Sequence, residues 1–212
     1  MSKWTRWMVP LALFLAVTLS LTPTAWAQSR QIEVFAGTLS VDSELLDDDT
    51  VYGVRGAQPI NDQLSIRLGL TSFSSSESRT VALPPFPTLP IPLPGQLPTS
   101  VTVRVDTDIL FFDASAVWYP SWGNGAFSLY GGPGWAFVDA EASASTTVFG
   151  GLVISDAAEV SDDSLTLHAG VGYEIELGPS FYLRPDVKAR WIEELSGTDF
   201  EGSLALGYRF GF

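Results

Sequence analysis

The reading of the fold turns on the last stretch of the chain, Phe200-Glu-Gly-Ser-Leu-Ala-Leu-Gly-Tyr-Arg-Phe-Gly-Phe212. Phe200, Leu204, Leu206, Tyr208, Phe210 and Phe212 fall on one face, with Gly202 among them. Glu201, Ser203, Ala205, Gly207, Arg209 and Gly211 fall on the other. This period of two is that of a β-strand lying between two different media.

The pattern repeats toward the N-terminus. In 181–192, Phe181, Leu183, Val187, Ala189 and Trp191 oppose Tyr182, Arg184, Asp186, Lys188 and Arg190. In 165–177, Leu165, Leu167, Ala169, Val171, Tyr173 and Ile175 oppose Thr166, His168, Gly170, Gly172, Glu174 and Glu176. Weaker versions cover 31–41, 50–58, 63–73, 101–119 and 126–138, which makes eight strands. Alternation slips at Ile109-Leu110-Phe111-Phe112, which predicts a bulge near Leu110. Pro133 and Pro185 fall inside strands, where proline belongs only at edges or bulges. The expectation there is a bulged ladder or shifted boundaries.

Connections of two kinds alternate along the chain. Residues 59–62, 120–125 and 178–180 are short, Pro/Gly/Asn/Asp-rich turns. Residues 42–49, 74–100, 139–163 and 193–199 are longer. An outer-membrane barrel has short periplasmic turns and longer extracellular loops. The fold class predicted is therefore all-β, an eight-stranded antiparallel up-and-down transmembrane β-barrel with both termini on the periplasmic side. The uncharged stretches 80–103 and 114–138 carry too many prolines to cross as helices.

The N-terminus reads as an address. Lys3 and Arg6 precede an apolar run, and Ala25-Trp26-Ala27 offers a small-x-small cleavage pattern. This predicts a signal peptide over 1–27, with Ala25 and Ala27 as the small residues of the cleavage site and the cut before Gln28, and a barrel domain over 28–212. Cleavage takes the formal net charge from −13 to −15. Such acidity argues against nucleic acid as a partner, because phosphates need basic neutralisation. With no cysteine, disulfide scaffolds, Cys-based zinc sites and thiol catalysis are excluded. The expected localisation is the cell outer membrane.

Energetics decides which face points out. Each Arg or Lys on the lipid face costs about 2–4 kcal/mol at the bilayer midplane. Arg184, Lys188 and Arg190 share a face of one strand, so that face points inward. The same frame predicts an interior polar network of Glu33, Arg55, Arg67, His168, Glu174, Glu176, Arg184, Asp186, Lys188, Arg190, Glu201 and Arg209. An eight-stranded barrel is just wide enough for side chains to fill, so these read as a paired ionic plug, with a narrow porin-like channel as the alternative. Aromatic girdles are expected from Trp118, Tyr119, Trp122, Phe181, Tyr208, Phe210 and Phe212 at one rim and Trp191 at the other.

Four stretches carry a family resemblance: Thr50-Val-Tyr-Gly-Val-Arg-Gly-Ala57, Leu129-Tyr-Gly-Gly-Pro-Gly-Trp-Ala136, His168-Ala-Gly-Val-Gly-Tyr-Glu174 and Leu204-Ala-Leu-Gly-Tyr-Arg-Phe-Gly-Phe212. Together they resemble the small OmpA/OmpX-like outer-membrane β-barrel domains over the whole mature chain. The resemblance implies that Leu204, Leu206, Tyr208, Phe210 and Phe212 form the signal read by the barrel-assembly machinery. It implies outer-membrane lipid and lipopolysaccharide as surroundings. The chain ends at the barrel, so cell-wall tethering of the OmpA kind is not implied.

Other chemistry is weighed against plainer readings. His168 is the only histidine. Outer-membrane lipid A deacylases are similar in size and use a His-x-Ser pair, but here the second position is Gly170. Neither nucleophile nor orienter is evident, so no enzyme and no cofactor is expected. Asp47-Asp48-Asp49 lacks the spacing of a calcium loop and reads as a solvated acidic loop, not a metal site. The proline-rich stretch 81–98 reads as an extended surface loop. Of 24 acids, 15 fall in the long connections: Asp42, Glu44, Asp47, Asp48 and Asp49, then Glu77, then Asp139, Glu141, Asp156, Glu159, Asp162 and Asp163, and last Glu193, Glu194 and Asp199. Only Arg79 offsets them there. The expectation is a monomeric structural or surface-interaction protein whose acidic outer face meets cations or basic partners.

Overall fold

In the computed structural model, residues 30–40, 49–82, 100–120, 126–148, 152–193 and 198–210 are described. The expected signal peptide, the acids at 42–48, the proline-rich stretch beyond Ala82, Trp122, Glu194 and Phe212 lie outside the described residues. The strands are β1 (Arg30–Ser40), β2 (Asp49–Asn61), β3 (Leu64–Ala82), β4 (Ser100–Trp118), β5 (Phe127–Val148), β6 (Leu152–Tyr173), β7 (Ile175–Glu176), β8 (Phe181–Ile192) and β9 (Thr198–Phe210).

Every pairing is antiparallel and between neighbours in the chain, except that β1 pairs β9 and β6 pairs β8. β6 pairs both β5 and β8, so the ladder closes on itself. The two residues of β7 meet β8 in the register that β6 already has. β7 is therefore the end of β6, and the ring has eight staves. Closure leaves no open edge within the ring, the condition for β-structure in hydrocarbon.

The two prolines sit in the ring without shifting register. The β4–β5 ladder skips the pairs opposite Gly132 and Pro133, then resumes unchanged. The β6–β8 ladder stops at Gly172 opposite Asp186 and resumes at Ile175 opposite Leu183, skipping Pro185. A missing N–H thus costs a local lapse in the ladder, where the sequence suggested a bulge or shifted boundaries. The bulge expected near Leu110 is also absent, because β3 and β4 keep one register from Leu64–Trp118 to Ala82–Ser100. The slip has another cause. Ile109 and Phe111 are buried inside while Leu110 and Phe112 face outward, so both faces of β4 are apolar there. A register shift occurs instead at Pro59–Asn61, in the short β2–β3 turn.

Two long connections are shorter than expected, because their strands run on. β3 and β4 stay paired to Ala82–Ser100, and β5 and β6 to Val148–Leu152. β2 leaves β3 at Phe73, and β8 leaves β6 at Thr166. Beyond these points β3, β4, β5 and β6 continue as a four-stranded sheet outside the ring. The ten residues from Asp139 to Val148 give it a reach of about 30 Å at 3.3 Å per residue. The acids Asp139, Glu141, Asp156, Glu159, Asp162 and Asp163 lie on these strands, not on a loop. Asp199 also departs from expectation, being buried in β9.

The outer surface of the ring is apolar, with Ile32, Val34, Ile66, Leu167, Val171, Val187, Leu204 and Leu206 exposed. Trp118, Phe181 and Tyr208 are exposed at the short-turn end, and Phe181 and Tyr208 stack tilted at 5.0 Å. Trp135, Phe137, Trp191 and Phe200 are exposed toward the other end. Tyr119 does not join the girdle. It turns inward and donates its hydroxyl to Glu174 Oε1 at 2.9 Å.

Candidate functional site

The interior is built in three layers by the inward positions of alternating strands. Near the short turns, Arg184 reaches Ser128 Oγ at 2.8 Å, Glu33 at 3.4 Å and Asp186 at 3.3 Å. Tyr182 donates to Glu33 at 2.9 Å. The large side chains fit because small residues face them. A Cβ on Gly172 would stand 2.5 Å from Arg184 Nε, and one on Gly207 would collide with the Tyr182 ring. Arg209 closes this end, bound to Glu174 and to Glu176 at 2.9 Å. Glu176 itself is exposed at the mouth, which corrects its expected place inside.

The middle layer is ionic. Arg55 binds Asp186 at 2.8 Å and Glu201 at 3.0 Å. Lys188 binds Glu201 at 2.6 Å and Asp113 at 3.2 Å. Arg190 grips Asp113 with two parallel bonds of 2.8 and 2.9 Å. Arg67 lies over the Tyr130 ring at 3.9 Å, and Tyr130 donates to Asp186. Among the described residues, six carboxylates are buried (Glu33, Asp113, Glu174, Asp186, Asp199, Glu201). They stand against five buried cations (Arg55, Arg67, Arg184, Lys188, Arg190) and the part-buried Arg209. The interior as a whole is balanced, as buried charge must be.

The third layer is apolar. Leu39, Val51, Phe73, Ile109, Phe111, Ala136 and Ile192 pack across the bore, with Val138 against them. Arg190 joins the two layers, its guanidinium 3.7 Å over the Phe111 ring.

Periodicity on β4 missed Asp113 and Ser115, which complete an arrangement around His168. Ser115 Oγ and His168 Nε2 are 2.8 Å apart, and His168 Nδ1 lies 3.6 Å from Asp113 Oδ1. These are the residue types of a nucleophile, base and orienter. The surroundings oppose that use. Asp113 is already held by Arg190 and Lys188. The adjoining cavity, bordered by Arg55, Arg67, Tyr130 and these three residues, is about 10 Å³, the room of roughly one water molecule. No acyl chain fits beside Ser115.

Above the ring, the register places like charges opposite one another. Asp108 faces Asp139, Asp106 faces Glu141, and Glu141 faces Glu159. Arg104 holds Asp106 by bonds of 2.9 to 3.1 Å, and this hydrogen bonding keeps the Asp106 carboxyl below the usual carboxylate range.

A family model described as the outer membrane protein beta-barrel domain matches residues 10–210. Solved structures are similar to the chain at low identity. Ail, the attachment invasion locus protein of Yersinia pestis, is 16% identical with a TM-score of 0.48, over 87% of this chain and 100% of that one. A major outer membrane protein of Thermus thermophilus is 16% identical with a TM-score of 0.47, over 87% and 100%. OprG of Pseudomonas aeruginosa is 14% identical with a TM-score of 0.44, over 88% and 97%. No curated protein sequence matches the chain.

Proposed function

The chain belongs to the outer membrane protein β-barrel domain family, and from that premise we propose that it is a sealed outer-membrane anchor presenting an acidic interaction sheet at the cell surface. The long-connection end of such barrels is extracellular, so the sheet formed by β3 to β6 faces outward. The observation that carries this reading is the register of like charges across it. Carboxylates directly opposite one another destabilise a sheet, and a cationic partner laid over them relieves that repulsion. Basic polypeptide segments fit this surface by charge, and β6 beyond Thr166 lacks the β8 neighbour it has inside the ring.

A test separates binding from stability. Asp139→Asn, Glu141→Gln and Glu159→Gln combined are expected to weaken binding of a labelled oligolysine peptide to intact cells about tenfold. The same variant is expected to be as stable as wild type or more so, by about 0.2–1 kcal/mol per relieved pair. Unchanged peptide binding contradicts the proposal.

The interior supports an anchor rather than a pore or an enzyme, because charge-balanced ionic layers and an apolar layer cross the bore. Planar bilayers carrying the protein are expected to stay at baseline conductance. Steady openings in wild type contradict the seal. Cells overproducing the protein are expected to keep an unchanged lipid A mass spectrum, and a lost or gained acyl chain that depends on Ser115 contradicts the non-enzymatic reading.

A further inference from the structure

The small cavity in the middle layer is charged on one side of the ledger. Its charged borders are Arg55, Arg67 and Lys188, against the single carboxylate of Asp113. Gly69 makes the room. A Cβ there would stand 3.3 Å from Arg55 Cγ and 3.9 Å from Asp113 Cβ.

The donors around it are not all used. Among the described residues, Arg55, Arg184, Lys188 and Arg190 each hydrogen-bond a carboxylate. Arg67 does not. Its Nη1 is buried without a hydrogen-bond partner. The carboxylate oxygen beside it, Asp186 Oδ2 at 3.7 Å, is already held by Arg55 at 2.8 Å. His168 Nδ1 is likewise buried without a partner. With Ser115 donating to Nε2, Nδ1 carries the ring hydrogen. Lys188 bonds Asp113 and Glu201 and keeps a third N–H. A buried donor left unmet marks a water or an ion. A water accepts only two hydrogen bonds and must place its own two hydrogens, and Asp113 is already engaged by Arg190 and Lys188. An anion accepts from all three side chains, and each bond is charge-assisted on the Arg67 and Lys188 sides.

We infer that this cavity binds one monatomic anion, chloride under ordinary conditions. A water takes about 30 Å³ in the liquid, and chloride is of comparable size, whereas sulfate or phosphate is too large. The ion gives Arg67 the counter-charge that a buried cation needs. It also ties β3, β6 and β8 together across the bore, through Arg67, His168 and Lys188.

The test refolds protein purified from outer membranes, from urea into detergent, at one ionic strength in sodium chloride or in sodium gluconate, whose anion cannot enter. In about 0.1 M chloride the unfolding equilibrium constant is expected to be about tenfold lower than in gluconate, as for a ligand at ten times its Kd. Arg67→Met is expected to abolish that difference, whatever it does to stability in gluconate. Gly69→Ala, which fills the cavity and keeps every charge, is expected to do the same, and is read alone if Arg67→Met does not fold. Crystals grown in bromide are expected to show an anomalous peak beside Arg67. Equal constants in the two salts, a chloride difference that survives the substitutions, or an ordered water and no bromide beside Arg67 overturns the inference.

Discussion

Replacing Arg190 with alanine is expected to lower the unfolding free energy by about 3–5 kcal/mol, the cost of breaking a buried ion pair from one side. Arg190 is fully buried, holds Asp113 by two bonds, and covers the Phe111 ring. Its loss leaves Asp113 with Lys188 at 3.2 Å and His168 at 3.6 Å, too little to replace water. Urea unfolding in lipid vesicles reads the change. Arg190→Lys is expected to recover only part of it, since an ammonium cannot make the paired fork. Removing Asp113 as well is expected to restore stability toward wild type, because the uncompensated charge goes with it. A loss under about 1 kcal/mol in Arg190→Ala contradicts the ionic layer.

Val187 and Lys188 are neighbours in sequence and sit in opposite media. Val187 is 55% exposed on the outer belt, and Lys188 is 3% exposed in the bore. Val187→Arg is therefore expected to cost about 2–4 kcal/mol, and Phe200→Arg, nearer the far rim, about 0–1 kcal/mol for the charge, because the penalty falls with depth. The same urea measurement serves. Equal costs at the two positions contradict the placement of the membrane belt.

The last three long strands were legible because each of their faces meets one medium. Arg184, Lys188 and Arg190 on one face of 181–192 left a single choice of inside and outside. β4 was harder. The apolar layer puts Ile109 and Phe111 inside while Leu110 and Phe112 meet lipid, so alternation vanishes over those four residues. With the frame lost, Asp113 and Ser115 went unplaced, although they complete the network around His168. The outer sheet was hidden for the opposite reason. Its Ser, Ala, Thr and Asp residues meet water on both faces, and strands of that composition look like loops. Pro133 and Pro185 pointed to bulges or shifted boundaries because the sequence does not show that a closed ladder can skip a pair and keep its register.

An anchored surface sheet requires the long-strand end of the barrel to face outside and the residues of that sheet to meet water. The chain has no cysteine, so single cysteines can be labelled on intact cells with a membrane-impermeant maleimide and read on the purified protein without background from its own sequence. Ser161→Cys on the outer sheet is expected to label on intact cells. Pro179→Cys in the short β7–β8 turn is expected to label only after the outer membrane is opened, and Val187→Cys in neither case. Labelling of Pro179→Cys but not Ser161→Cys from outside, or of both, would contradict the anchored-sheet arrangement.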